Sequence, residues 1–215
     1  MSYTCPLCHQ PLAFADRTYR CENNHSFDLA KEGYVNLMPA HHKRSKDPGD
    51  NTEMMQARRR FLEKDYYQPM KLRVAELCAQ YLQETQHQLL DIGCGEGYYT
   101  TKVAEQLAEQ HSEAQTFGLD ISKVAIRYAA KRYPNCQFSV ASSHRLPFAD
   151  SSLDGILRIY APCKAEELTR VINDNGVVIT VTPAGRHLYQ LRERIYQEVR
   201  LHNEDPEQIN GFVLE

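Results

Sequence analysis

Four residues near the N-terminus have the types and spacing of a metal site. Cysteine stands at 5, 8 and 21 and histidine at 25, a Cys-x2-Cys-x12-Cys-x3-His pattern. The first knuckle brings two thiolates to one ion, and Cys21 with His25 completes a tetrahedron of soft ligands, which suits zinc. Four protein ligands leave no open position, so the site reads as structural. His9 is a rival ligand, but its place next to Cys8 makes simultaneous binding awkward. The segment is too short and polar to fold on a core of its own, so the metal supplies its folding energy. A second constellation follows at Leu89-Leu90-Asp91-Ile92-Gly93-Cys94-Gly95-Glu96-Gly97. An apolar run ends in an acid, a glycine turn follows, and Tyr98 opens a helical pattern. That is the strand–turn–helix junction at which open α/β sheets bind nucleotides. The dinucleotide fingerprint needs its third glycine where Tyr98 stands, and the Gly-Lys-Ser/Thr ending of a phosphate loop is missing, which argues against NAD, FAD, ATP and GTP.

The loop resembles the first motif of class I S-adenosylmethionine (SAM) methyltransferases, Asp-x-Gly-x-Gly-x-Gly, carried here by Asp91, Gly93, Gly95 and Gly97, with Glu96 inside it. In such enzymes the glycine backbone lies against the amino-acid end of SAM. A second apolar run, Thr116 to Leu119, ends at Asp120, 23 residues after Gly97. An acid there hydrogen-bonds ribose hydroxyls. Its bland alternative is a helix N-cap, but Ser122 is the better cap, which leaves Asp120 free.

The elements that must hold these residues alternate. Helices are expected at 52–64, 68–84, 98–110, 122–132, 165–172 and 185–201. Strands are expected at 88–92, 116–119, 137–141, 153–159 and 177–181. Alternation of this kind predicts an α/β, parallel, doubly wound sheet. The resemblance of the glycine loop implies that this sheet is the Rossmann-like one of class I SAM methyltransferases, and the cysteine–histidine pattern adds a small N-terminal zinc-binding module. The domain reading is a zinc module over 1–37, a basic connector and helix over 38–66, and a SAM-binding methyltransferase domain over 67–215. The chain has 215 residues and a formal charge of -3, so it is no strongly basic nucleic-acid binder overall. Between 41 and 60, however, six Lys/Arg face three Asp/Glu, a modest phosphate-contact patch. No run of about 18 apolar residues and no leader pattern is present, so no membrane partner is expected. The other four cysteines, Cys78, Cys94, Cys136 and Cys163, are scattered in apolar surroundings. That distribution points to a reducing, cytoplasmic setting.

Longer segments narrow the resemblance. These are Lys31-Glu32-Gly33-Tyr34-Val35-Asn36-Leu37, Lys43 to Asp50, Met54 to Arg59, Ala141-Ser142-Ser143-His144-Arg145-Leu146-Pro147-Phe148 and Ile159-Tyr160-Ala161-Pro162-Cys163-Lys164. Together with the zinc pattern they resemble the bacterial large-subunit rRNA guanine-N1 methyltransferases throughout the chain. The resemblance implies methylation of N1 of a guanine in a 23S rRNA hairpin, with the zinc module helping to hold RNA. It places Ser142 and Ser143 where many relatives carry an Asp-Ala pair against the adenine, and matches Tyr67 and His187 to positions that contact SAM. Tyr160 and His144, on loops at strand ends, are the candidates for contacting the target base. Asp154, at the start of its strand, reads as structural. The family continues past the equivalent of Glu215, so the expectation is a sheet whose usual last two strands are missing, with an open edge after the fifth. Two rival readings stay open: a small-molecule SAM methyltransferase, and a non-catalytic RNA-binding relative. Whether a homodimer shares one RNA is also open.

Overall fold

The computed structural model describes residues 3–39, 51–82 and 88–215. The basic stretch expected at 41–50 and the last residues of the 68–84 helix therefore lie outside the described residues. Three short strands, β1 (Ala13–Ala15), β2 (Thr18–Arg20) and β3 (Ser26–Asp28), form an antiparallel ribbon. The next strand, β4 (Tyr34–Asn36), does not belong to that ribbon. It pairs in parallel with β7 (Gln137–Val140), at the edge of the main sheet. The sequence reading placed residues 34–36 inside the zinc module. A three-residue edge strand shows no alternation of its own, so its sheet membership rests on pairing with β7.

The main sheet runs β4-β7-β6-β5-β8-β9, with all pairings parallel. Its other members are β5 (Gln88–Ile92), β6 (Gln115–Asp120), β8 (Leu153–Ile159) and β9 (Ile172–Val181). Helices α2 (Gln68–Tyr81), α3 (Tyr98–Gln110), α4 (Lys123–Arg132) and α5 (Ala165–Val171) cover it, and α1 (Thr52–Leu62) packs beside α4. This is the expected class I fold. The central strands are buried on both faces, and Leu89, Leu90, Ile92, Leu153 and Leu157 are fully enclosed, as parallel strands between helix layers require. Chain order reverses at β5, which has β6 on one side and β8 on the other. That switch point opens the crevice at the carboxyl ends of the strands where ligands bind.

Several local signals read correctly. Ser122 caps α4, its hydroxyl accepting from Ala125 N at 3.3 Å. Asp154 is structural, accepting from Gln88 N at 2.8 Å and from the Asn173 side chain at 2.6 Å. The long helix expected at 185–201 did not form. Only α6 (Tyr189–Glu193) is helical there, and Leu188 before it has a left-handed φ of 52°. Leu191, Ile195 and Tyr196, which would make the helix's apolar face, are all more than half exposed. An amphipathic pattern needs a surface to bury against, because helical propensity alone holds a helix of this length only marginally.

Candidate functional site

The N-terminal cluster survives in three dimensions. Cys5 Sγ and Cys21 Sγ each lie 3.5 Å from His25 Nδ1, and Cys8 Sγ lies 3.6 Å from Cys21 Sγ. All four ligand atoms fall within 4.8 Å of one another. A tetrahedral zinc with Zn–S of about 2.3 Å and Zn–N of about 2.05 Å has S···S edges of roughly 3.8 Å and S···N edges of roughly 3.55 Å. The observed edges match, so Cys5, Cys8, Cys21 and His25 are positioned to hold zinc with no open coordination position. His9 is not in the cluster. It turns away at a left-handed φ of 63° and its ring meets the Arg145 guanidinium.

At the switch point lies a cavity of about 660 Å³, within the ordinary range for small-molecule sites. Its floor is the glycine loop. Gly93, Gly95 and Gly97 have φ of 71°, 57° and 82°, the left-handed region that glycine enters without steric cost. At Gly93 the requirement is double, because an added Cβ would lie 2.6 Å from the Ala161 methyl. The loop after β8 thus closes directly onto the glycine loop. Gly97 caps α3 without a side-chain acceptor, so first-turn N–H groups are left to solvent or a ligand.

Two acids sit at the strand ends. Asp91 is buried, takes a 2.6 Å bond from the Thr100 hydroxyl, and is pushed up to about 7, mainly by desolvation. Asp120 is not free, contrary to the sequence reading. Its Oδ2 accepts from Gly95 N at 3.0 Å and its Oδ1 from Ser122 N at 2.8 Å. The carboxylate ties the glycine loop to the head of α4 and still has lone pairs for a ligand. Glu96 is buried but engaged, since Arg59 Nε and Nη2 both approach its Oε2, at 2.7 and 2.6 Å.

That ion pair fixes a wall the sequence reading missed. Helix α1 lies across the cavity, with Met55, Arg58, Phe61 and Leu62 lining it, and Arg59 also stacks over the Tyr128 ring at 4.5 Å. A faint signal existed, in that Met55 and Leu62 are two apolar positions seven residues apart. Its partner, Glu96, is 37 residues away and leaves no local trace. Tyr99 and Ile121, also unanticipated, line the cavity as well.

Of the residues singled out in the sequence, Tyr67, Asp91, Gly93, Gly95, Glu96, Asp120, Ser142, Ser143, His144 and Tyr160 all line this one cavity. Gly97 lies behind it, where an added Cβ would press on the Tyr133 ring at 3.0 Å. His187 stands outside the lining, its ring centre 5.6 Å from that of Tyr160. Tyr160 has a left-handed φ of 54°, is 44% exposed, and its hydroxyl reaches Met70 Sδ at 3.9 Å. His144 is exposed, with its N–H donating to the Ser142 hydroxyl at 3.2 Å. The Ser143 carbonyl accepts from the Cys163 thiol at 3.0 Å, which links the loops after β7 and β8. No helix among the described residues is long and apolar enough to cross a membrane.

Comparison with known proteins agrees with this geometry. Residues 3–46 match a zinc-ribbon family described as "RlmA, N-terminal", and residues 83–211 match a methyltransferase domain. A Streptomyces fradiae protein named 23S rRNA (guanine(748)-N(1))-methyltransferase is 34% identical over 203 residues, covering 93% of this chain and 70% of its own. A Micromonospora griseorubida protein, provisionally named a 23S rRNA (guanine-N(1)-)-methyltransferase, is 32% identical over 209 residues, covering 89% of this chain and 68% of its own. A crystal structure from Methanococcus maripaludis, provisionally assigned as a SAM-dependent methyltransferase, superimposes with a TM-score of 0.52 at 18% identity. It covers 71% of this chain and 74% of that one, a likeness of fold.

Proposed function

This chain belongs to the 23S rRNA (guanine-N1)-methyltransferase family, and from that premise we propose that it methylates N1 of a guanine in a large-subunit rRNA hairpin, in the cytoplasm. The observation that carries the reading is one cavity in which the glycine loop and Asp120 face the exposed His144 and Tyr160. Bound SAM supplies an electrophilic methyl on a sulfonium. The chain's own part is positioning, which can account for most of the acceleration in such a transfer. Asp120, oriented by Gly95 N and Ser122 N, accepts from ribose hydroxyls. Ser142 and Ser143 border the adenine, Tyr67 flanks the cofactor, and Gly93 to Gly97 take its amino-acid end. Asp91 beneath the loop offers negative charge to a cationic ligand. His187, outside the lining, would act toward the cofactor through the Tyr160 ring it packs against.

Guanine N1 carries a proton that must leave during transfer, and it lies on the Watson–Crick edge, so the base must be unstacked to present it. Tyr160, half exposed at the cavity mouth, offers a stacking face. The His144 imidazole, which lines the same cavity, is the candidate to take that proton. Among the described residues β1 to β3 lie within 3–33 and β4 already pairs with the sheet, so the ribbon, which helps to hold RNA, is proposed to hand over to the sheet near residue 34.

The decisive experiment gives the purified chain labelled SAM with unmodified 23S rRNA transcript, and in parallel with a pool of small metabolites, and maps the label by mass spectrometry. Label on N1 of a single guanine is expected, and Asp120→Ala should abolish it. Label entering metabolites alone would sink the RNA reading. Wild-type rates for both Tyr160→Ala and His144→Ala would remove those two residues from the mechanism.

A further inference from the structure

Two neighbouring helices have a charge balance unlike the rest of the molecule. Helix α4 carries Lys123, Arg127, Lys131 and Arg132 and no acid. Helix α1, packed beside it through Arg59 over Tyr128, carries Arg58, Arg59 and Arg60 against Glu53 alone. The sheet's other helices mix their signs: α2 sets Lys71 and Arg73 against Glu76, and α3 sets Lys102 against Glu105 and Glu109. The chain as a whole is at -3. Arg59 and Arg132 are spoken for, by Glu96 and by Glu63 at 2.9 Å. Among the described residues no carboxylate pairs with Lys123, Arg127 or Lys131, though Arg127 also lies 5.6 Å from the Tyr128 ring centre. The three are spaced four residues apart and all exposed, while Ala125, Ile126, Ala129 and Ala130 of the same helix are buried. Positions i, i+4 and i+8 fall on one face at roughly 6 Å per step, so the stripe is about 12 Å long. It starts one residue beyond Ser122, which lines the cofactor cavity, and Arg58 and Arg60 stand exposed on the adjoining helix.

A solvated helix face usually mixes charges of both signs, which screen one another and add small i,i+4 terms. Like charges at i,i+4 repel, so a run of them costs stability unless a polyanion covers it. A row of single-sign cations that begins at the rim of a site taking a nucleobase fits the phosphates of the strand carrying that base.

We propose that the outer face of α4, Lys123, Arg127 and Lys131, is a track for the backbone of the substrate RNA, continued by Arg58 and Arg60 of α1. The track holds RNA by charge and sets the register in which the target base reaches the cavity, and it carries no sequence information. The inference rests on the acceptor being RNA, and it names where on the chain that RNA lies.

The test is binding of unmodified 23S rRNA transcript at several salt concentrations, for wild type and for the triple variant Lys123→Gln, Arg127→Gln, Lys131→Gln. Each lost phosphate contact should reduce the slope of log K against log salt by about 0.7 to 0.9. The triple variant is therefore expected to lower the slope by about 2 to 3 and affinity by at least tenfold. Its affinity for S-adenosylhomocysteine should match wild type, because none of the three touches the cavity or the core. Its melting temperature should be equal or slightly higher, because the like-charge repulsion along α4 is relieved. A control, Arg73→Gln with Lys102→Gln, removes cations from helices that mix signs and should leave the slope within about half a unit. A triple variant with the wild-type slope and affinity would overturn the track while leaving rRNA methylation standing. A control that falls as far as the triple variant would reduce the effect to net charge and overturn it too. A wild-type chain that binds S-adenosylhomocysteine but neither binds nor methylates the transcript would take down the RNA reading and the track together.

Discussion

The ribbon at one end of the chain and the segment after β9 at the other are of similar length, yet they are held in opposite ways. The ribbon's Tyr3, Cys5, Leu12 and Cys21 are buried in the same cluster as Leu90, Ile92, Phe117 and Phe148 of the sheet domain. Tyr3 is 2% exposed, and its ring lies 5.8 Å from Phe117 and 5.4 Å from Phe148. Thr4 N donates to the Pro147 carbonyl at 3.0 Å, in the loop that carries Ser142, Ser143 and His144. By contrast Leu191, Ile195, Leu201 and Val213 of the last segment lie open to solvent. Its anchors include the half-buried Ile209 and Phe212, an ion pair from Glu207 to the buried Arg158, and a hydrogen bond from the Thr169 hydroxyl to the Asn210 carbonyl at 3.3 Å. A segment clamped by metal can place its apolar side chains in a shared core. A segment of comparable length with only side chains to hold it gains burial at a few points.

Zinc removal should have the largest effect, and it is the sharpest way to break this contrast. Because the ribbon's core is also the sheet's core, chelation or Cys21→Ser should lower the temperature of one shared melt by about 10 °C or more, at the 2–4 °C per kcal/mol expected for this size. Affinity for S-adenosylhomocysteine should fall with it, since the loop around Pro147 loses its brace. Two separate transitions, with the second unmoved by chelation, would show the ribbon to be an appendage after all. Next comes Tyr3→Ala, which removes a buried aromatic and should cost about 3–5 kcal/mol. Thermal unfolding of the zinc-loaded protein measures it directly, and a cost under about 1 kcal/mol would contradict the shared core.

The legibility of these regions follows the range of the forces involved. The ligand spacing at 5, 8, 21 and 25, the glycine loop and the runs at 88–92 and 153–159 are local patterns, and each fell where sequence periodicity puts it. The clamping of Tyr3 onto Phe117 and Phe148 and the pairing of Tyr34–Asn36 with β7 are long-range packing, which no local period encodes. Likewise Arg58-Arg59-Arg60 reads as a basic run, yet only the fold sends Arg59 inward to Glu96 and Arg58 to the cavity rim while Arg60 faces solvent. The 185–201 pattern misled for the converse reason. Its apolar spacing is helical, but among the described residues no packing surface receives it.

Between the two regions lies Asp91, and its titration should follow the clamped half. Burial holds its folded value near 7, far above its ordinary 3.8. Without a cationic ligand, its contribution to stability is fully present below about pH 4 and is lost as pH rises through 7, a change of about 1.4 kcal/mol between pH 6 and 8. A sulfonium held nearby favours the carboxylate form. SAM affinity should therefore rise across that same window, by at most about tenfold per pH unit, and Asp91→Asn should flatten both profiles. Calorimetric titrations at pH 6, 7 and 8 decide the matter, and pH-independent affinity in the wild type would exclude a linked proton at this site.

The smallest effect belongs to the last segment. Phe212 and Ile209 are only partly buried against the core, so Phe212→Ala should cost about 1 kcal/mol, well under the 3–5 kcal/mol of a fully enclosed aromatic. The melt should drop by a few degrees and remain single, with cofactor affinity unchanged, because neither residue lines the cavity. Amide hydrogen exchange gives the finer readout. Residues 189–201 have exposed side chains and few anchors, so they should exchange through local opening at far lower free energy than β5 or β6. Should Phe212→Ala instead destabilise as much as Tyr3→Ala, with 189–201 protected to the level of the sheet, the two ends would be held alike. The metal would then not be what separates them.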